Sequence, residues 1–97
     1  MPKGYWVTTY RSIKDPAKVQ AYAALAGPAM TKYGCRYLCR GPAAVAHEAG
    51  VKERVVVAEF PSLAAAIECH DSPDYQKALE VLADGAVRDM RLVDGLE

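Results

Sequence analysis

Almost nothing in this sequence announces a chemistry. There is no G-x-G-x-x-G, no Walker loop, no G-x-S-x-G and no C-x-x-C. The common dinucleotide, phosphate, serine-hydrolase and dithiol sites therefore have no support. Histidine is scarce: His47 and His70 lie in separate segments, with no paired carboxylates or H-x-x-x-H spacing, so no metal site is expected. Excess charge is absent as well, since twelve basic residues balance twelve acidic ones. That leaves no electrostatic footprint for nucleic acid or an anionic membrane. No apolar run approaches the roughly 18 residues of a spanning helix. The opening Pro2-Lys3-Gly4 leads into a strand-like segment rather than an apolar signal core. A cytoplasmic protein is the expectation.

Cysteine is nearly absent too. Three cysteines without regular spacing do not make a disulfide framework. Four residues along an extended strand put Cys35 and Cys39 about 13 Å apart, beyond the roughly 4.4–6.8 Å of a disulfide. All three cysteines read as small buried apolar fillers.

What is present is an ordinary folding composition, 52% hydrophobic and 25% charged, which argues against disorder. At 97 residues the chain is expected to form one domain over 1–97, with a core of modest size. Gly4 to Arg11 is dense in aromatic and β-branched residues and reads as a strand, with Ile13 in the following connection. Asp15-Pro16 is a strong helix start. Apolar residues at three- and four-residue spacing from Val19 to Tyr33 run in phase through Gly27-Pro28. One helix from Pro16 to Lys32, kinked at Pro28, is predicted, with Gly34 as its left-handed end.

Cys35 to Arg40 reads as a second strand, deformed at Gly41-Pro42 and continued by Ala43 to His47. Glu53 to Phe60 carries the strongest strand signal. Ser62 caps a helix whose Leu63, Ala66, Ile67 and His70 share a face, and Ser72-Pro73-Asp74 opens another with Tyr75, Ala78, Leu79 and Leu82 inward. Ala86 to Val93 is the fourth strand.

The order β-α-β-β-α-β defines an α+β, ferredoxin-like domain: a four-stranded antiparallel sheet with helices on one face. Alternation assigns Val56, Ala58 and Phe60 to the helix side with Cys35, Tyr37 and Cys39. It leaves Val55, Val57, Glu59, Arg36, Leu38 and Arg40 on the open side. So apolar an open face implies a two-fold partner, hence a homodimer.

With these elements placed, the sequence resembles the bacterial domain of unknown function 1330 family, in the dimeric α+β barrel group. The resemblance rests on Gly4-Tyr5-Trp6, Pro28 with Lys32-Tyr33-Gly34, Arg36-Tyr37-Leu38, Arg40-Gly41, Glu59-Phe60-Pro61-Ser62, Ser72 to Gln76 and Val93-Asp94-Gly95. It implies the ferredoxin-like fold and a dimer, and no established reaction or cofactor. The chain departs from the family's pattern at Pro42, where a second glycine is common, and at Leu82, where an arginine is, so no polar site is carried over there. Proteins of similar fold include cofactor-free small monooxygenases and muconolactone-type isomerases, but a fold does not confer their activities.

The candidate site is the open face: Arg36, Arg40 and Glu59, with Arg91 from the fourth strand and Trp6 or Tyr10 from the first. Guanidiniums beside an aromatic wall suit a small organic anion, because arginine grips a carboxylate in a bidentate fork. Glu59, partly desolvated there, would suit a proton shuttle. The plainer reading is that Arg40 and Glu59 pair and orient two sheets at a dimer interface. His70-Asp71 reads as a helix ending, its neighbours not expected to face each other. The functional choice lies between a binder of a small organic acid, a cofactor-independent enzyme on the same fold, and a dimerisation module.

Overall fold

A computed structural model describes residues 2–97. Its elements run β1 (Gly4–Ile13), α1 (Pro16–Lys32), β2 (Arg36–Pro42), β3 (Arg54–Phe60), α2 (Leu63–Asp71), α3 (Pro73–Leu82) and β4 (Ala86–Asp94). The four strands pair antiparallel in the order β2-β3-β1-β4. This is the expected ferredoxin-like order.

Local chemistry accounts for most boundaries. Asp15 caps α1 by accepting from the Ala17 and Lys18 amides, Pro16 takes the first turn, and the helix continues through Pro28. Gly34, at φ 83°, supplies the left-handed exit. Ser72 works in two directions between α2 and α3: its buried hydroxyl donates to the Cys69 carbonyl at 2.7 Å and accepts from the Tyr75 amide at 3.3 Å. One serine thus ends a helix and begins the next.

The core lies between helices and sheet. Trp6, Ala58 and Phe60 from the strands meet Tyr22, Ala26, Met30, Ala66, Cys69, Tyr75, Ala78 and Leu82 from the helices. Alanines at zero exposure in β3, α2 and α3 let these elements approach closely around the large rings. Trp6 stacks on Phe60 with centroids 5.5 Å apart and meets Tyr75 edge-on at 4.9 Å.

Four expectations are corrected. Strand β1 runs on to Ile13 because Arg11 is an extra, bulged residue between the Tyr10–Arg88 and Ser12–Val87 pairs. Ala43 to His47 does not continue β2, which ends at Pro42, where the ring removes a ladder donor. On α2 the buried pair is Ala66 and Cys69, while Ile67 is 45% exposed. Cys39 is exposed rather than a core filler.

The Cys39 correction has a cause with wider effect. Tyr37 pairs with Ala58 but Cys39 pairs with Val57, so Leu38 is an inserted residue in β2. A bulge of one residue exchanges the faces of everything beyond it. Cys39 therefore moves to the open side, and Arg40, opposite Val56, moves to the helix side.

Burial also fixes a pH limit on stability. Desolvation pushes the Cys35 thiol up from 9.0 to about 11 and the Cys69 thiol up to about 12. Both are raised in the folded chain, so the folded state resists ionisations that the unfolded chain undergoes near pH 9. Their contribution is whole below pH 9 and is lost as pH rises through these folded values. The urea midpoint is expected to fall steadily above pH 9; a flat midpoint to pH 11 would contradict the burial of these thiols.

Candidate functional site

The structure divides the expected site residues between the two faces of the sheet. Glu59 and Arg36 do lie together on the open face. Arg36 Nη2 is 3.4 Å from Glu59 Oε1, and the Tyr5 hydroxyl donates to Glu59 Oε2 at 3.0 Å. The bond to Glu59 raises the Tyr5 phenol above its ordinary range, chiefly because it holds the proton on the hydroxyl. Arg91, opposite Val7, is occupied by Asp89 at 3.1 Å. Arg36 and Arg91 are thus both already engaged by carboxylates on this face. Around them Val7, Val55, Val57 and Val93 make the open face largely apolar.

Arg40, Trp6 and Tyr10 are not on that face. Trp6 pairs with Ala58 in β3 and is 1% exposed, and Tyr10 is also buried on the helix side. The bulge at Leu38 carries Arg40 there with them. Its guanidinium sits 4.4 Å from the Tyr37 ring centroid, and an Arg40–Glu59 pair is ruled out by the sheet between them.

On the helix side these residues meet others. A cleft between α1 and the sheet is lined by Trp6, Tyr10, Tyr22, Arg40, Arg54 and Arg88, with Thr8, Tyr37 and Met30 among its walls. Its inner volume is about 50 Å³. Past Val19, Ala23 and Arg54 it opens into a surface groove of about 720 Å³ that includes Ile13, Pro16 and Pro42 and has one carboxylate, Glu53, on its rim. The inner part has the volume of one small polar group, and the outer groove is within the size range of small-molecule sites.

Arg88 is the best-fixed of the three cations. It lies 4.7 Å from the Tyr22 ring centroid and 5.5 Å from that of Tyr10, and Nη1 donates to the Tyr22 hydroxyl at 3.0 Å. The Tyr22 and Tyr75 hydroxyl oxygens are 2.7 Å apart. Desolvation drives the Tyr75 phenol well above its ordinary range, so it remains a neutral donor. Among the described residues, no carboxylate lies within 4 Å of the guanidinium of Arg40, Arg54 or Arg88. Three cations face one aromatic-walled cleft without a counter-charge.

Tyr22, Arg54 and Arg88 were not among the expected site residues, although the sequence held a signal for two of them. Arg54 shares its parity with Val56, Ala58 and Phe60, and Arg88 shares its own with Met90 and Leu92. An arginine in an inward-facing row of a strand is expensive unless something occupies it. His70 carries no such signal. Its Nδ1 does approach Asp71 Oδ1, at 3.3 Å, against expectation, but the pair is at the surface and the ring packs on Trp6 and Tyr75. Among the described residues, no group of three potential ligands is placed to hold a metal ion.

Fold and cleft together define a ferredoxin-like domain whose polar interior is built between helix and sheet. The chain belongs to the DUF1330 family, a domain of unknown function, whose family model matches residues 3–96. Solved structures share the fold. A protein of unknown function from Rhodopseudomonas palustris aligns with a TM-score of 0.74 at 20% identity, over 99% of this chain and 84% of its own. SnoaB, a cofactor-independent oxygenase from Streptomyces nogalater, aligns at 0.63 and 12% identity, over 100% and 96%. A putative antibiotic biosynthesis monooxygenase from Caulobacter crescentus aligns at 0.61 and 17% identity, over 99% and 92%. No curated protein matches the sequence. No helix among the described residues is long and apolar enough to cross a membrane.

Proposed function

We propose that this chain binds a small organic acid in the cleft between α1 and the sheet, with Arg40, Arg54 and Arg88 as its cationic contacts. Trp6, Tyr10, Tyr22 and Tyr37 form the apolar walls. The observation that carries this reading is the uncompensated charge: three guanidiniums line one cleft with no carboxylate within 4 Å among the described residues, while Glu59 and Asp89 are paired on the opposite face. Arginine is always protonated, so half-buried Arg54 and Arg88, with exposed Arg40 beside them, offer an anion fixed positive charge in a partly desolvated space. A carboxylate supplies both the charge and the bidentate geometry. The oxygenase activity named for SnoaB is not carried over, because 12% identity conveys the fold alone.

The open face supports a second element of the reading, a homodimer. Val7, Val55 and Val57 are half-buried, Val93 is 50% exposed, and together they form an apolar sheet surface that a two-fold copy would cover. Arg36, Glu59 and Tyr5 would lie within that interface as an orienting polar cluster. Three free cysteines fit a reducing compartment such as the cytoplasm.

Each element has its own measurement. A thermal-shift series with benzoate, phenylacetate and short aliphatic carboxylates is expected to raise the melting temperature, since a ligand of the native state stabilises it by mass action. The rise should disappear in an Arg54→Ala, Arg88→Met double variant and persist in Glu59→Gln. No shift with any carboxylate at millimolar concentration would overturn the acid-binding reading. Light scattering at micromolar concentration is expected to give twice the chain mass, and a monodisperse monomer would remove the dimer.

A further inference from the structure

The hydrogen-bond arithmetic at Tyr22 constrains what the cleft can accept beyond a negative charge. Tyr75 is fully buried, so its hydroxyl hydrogen needs an acceptor. Among the described residues the one oxygen in reach is that of Tyr22, at 2.7 Å, because Arg88 beside it can only donate. Tyr75 is therefore the donor of that pair. The Tyr22 oxygen then receives two hydrogens, one from Tyr75 and one from Arg88 at 3.0 Å, which fills its acceptor capacity. Its own hydrogen must go elsewhere. No residue among those described accepts it, and Tyr22 lines the cleft.

We infer that Tyr22 presents a polarised hydroxyl donor to the ligand, and that the cleft selects acids carrying a second oxygen acceptor, a carbonyl or enolate oxygen, over acids that lack one. This rests on the acid-binding reading above and narrows its substrate class to oxo acids. Two donors on one phenol oxygen withdraw electron density from it and strengthen the bond its hydrogen makes. The carboxylate is held by the guanidiniums nearer the mouth, where Arg54 borders the outer groove, and the carbonyl lies at Tyr22. An acid without that oxygen leaves the Tyr22 hydrogen unpaired in a desolvated place, which is the strongest form of discrimination a small site has. Tyr22 is on this account a specificity-determining contact, and Tyr75 is a positioning residue that acts through it.

The test uses Trp6, the one tryptophan of the chain and a wall of the cleft, as an intrinsic fluorescent reporter. Straight-chain oxo acids with the carbonyl at the second to the fifth carbon are titrated beside their saturated counterparts, which removes dependence on one spacing. At least one oxo acid is expected to bind about tenfold or more tightly than its counterpart. Tyr22→Phe, which keeps the ring, should abolish that preference, whatever its effect on the saturated acids, and Tyr75→Phe should reduce it. Equal affinity for every pair in the wild-type protein overturns the inference and leaves the acid-binding reading standing. A preference that survives in Tyr22→Phe also overturns the inference. Failure of all acids of both kinds to bind overturns both.

Discussion

Replacing Trp6 with alanine is expected to cost about 3–5 kcal/mol, the range for deleting a large aromatic from a packed core. Trp6 is 1% exposed and is held by Phe60, Tyr75 and His70, which cannot all close on the space it leaves because each is fixed by its own element. A domain of this length has about 5–15 kcal/mol in total, and each kilocalorie moves the midpoint by about 4–8 °C. The melting temperature should therefore fall by on the order of 15 °C or more. A loss below about 1 kcal/mol would mean that Trp6 is not seated between sheet and helices.

The second large effect is on binding rather than folding. Arg88→Met keeps an unbranched apolar stem and removes the guanidinium with its charge. It also removes the bond to Tyr22, worth about 1 kcal/mol net, but relieves repulsion from Arg40 and Arg54. The unliganded protein should therefore stay within about 1 kcal/mol of wild type. Affinity for an organic acid should fall about 10- to 100-fold, since a hydrogen bond to a charged group contributes roughly 1.5–3 kcal/mol. If Arg88→Met instead lowers the melting temperature markedly while the folded protein binds organic acids with unchanged affinity, the cation is structural and the cleft is not the binding site.

These two residues also mark how far sequence patterns reach in this fold. The helix boundaries were legible because each carries its own local device: Asp15-Pro16 at the start of α1, Gly34 past its end, and Ser72-Pro73 between α2 and α3. Strand β3 was legible because apolar residues fill both of its faces. The faces of β1 were not legible, since Tyr5 and Val7 compete with Trp6 and Tyr10 as the inward row. Only packing against Ala58, Tyr22 and Tyr75 selects Trp6 and Tyr10.

Arg40 was assigned to the wrong face for one physical reason. Nothing in Tyr37-Leu38-Cys39 marks a bulge, and without it alternation puts Arg40 beside Glu59. The insertion of Leu38 reverses the faces of Cys39 and Arg40 and so separates an apparent ion pair into two unrelated settings. Glu59 stays on the open side with Arg36 and Tyr5, and Arg40 joins two cations that also lack an acid. Arg54 and Arg88 were readable as inward-facing charges. The role of Tyr22 was not, because its position on the apolar face of α1 is equally that of a core residue.

An organic acid held on the helix side of the sheet, as proposed, would disturb the arginines of that side alone. The most direct measurement follows the arginine Nε–Hε resonances by NMR as benzoate is added. The account predicts that Arg88, Arg54 and Arg40 shift together with the Trp6 indole, while Arg36 and Arg91, paired with Glu59 and Asp89, stay in place. Movement of Arg36 and Arg91 with Arg88 silent would contradict it.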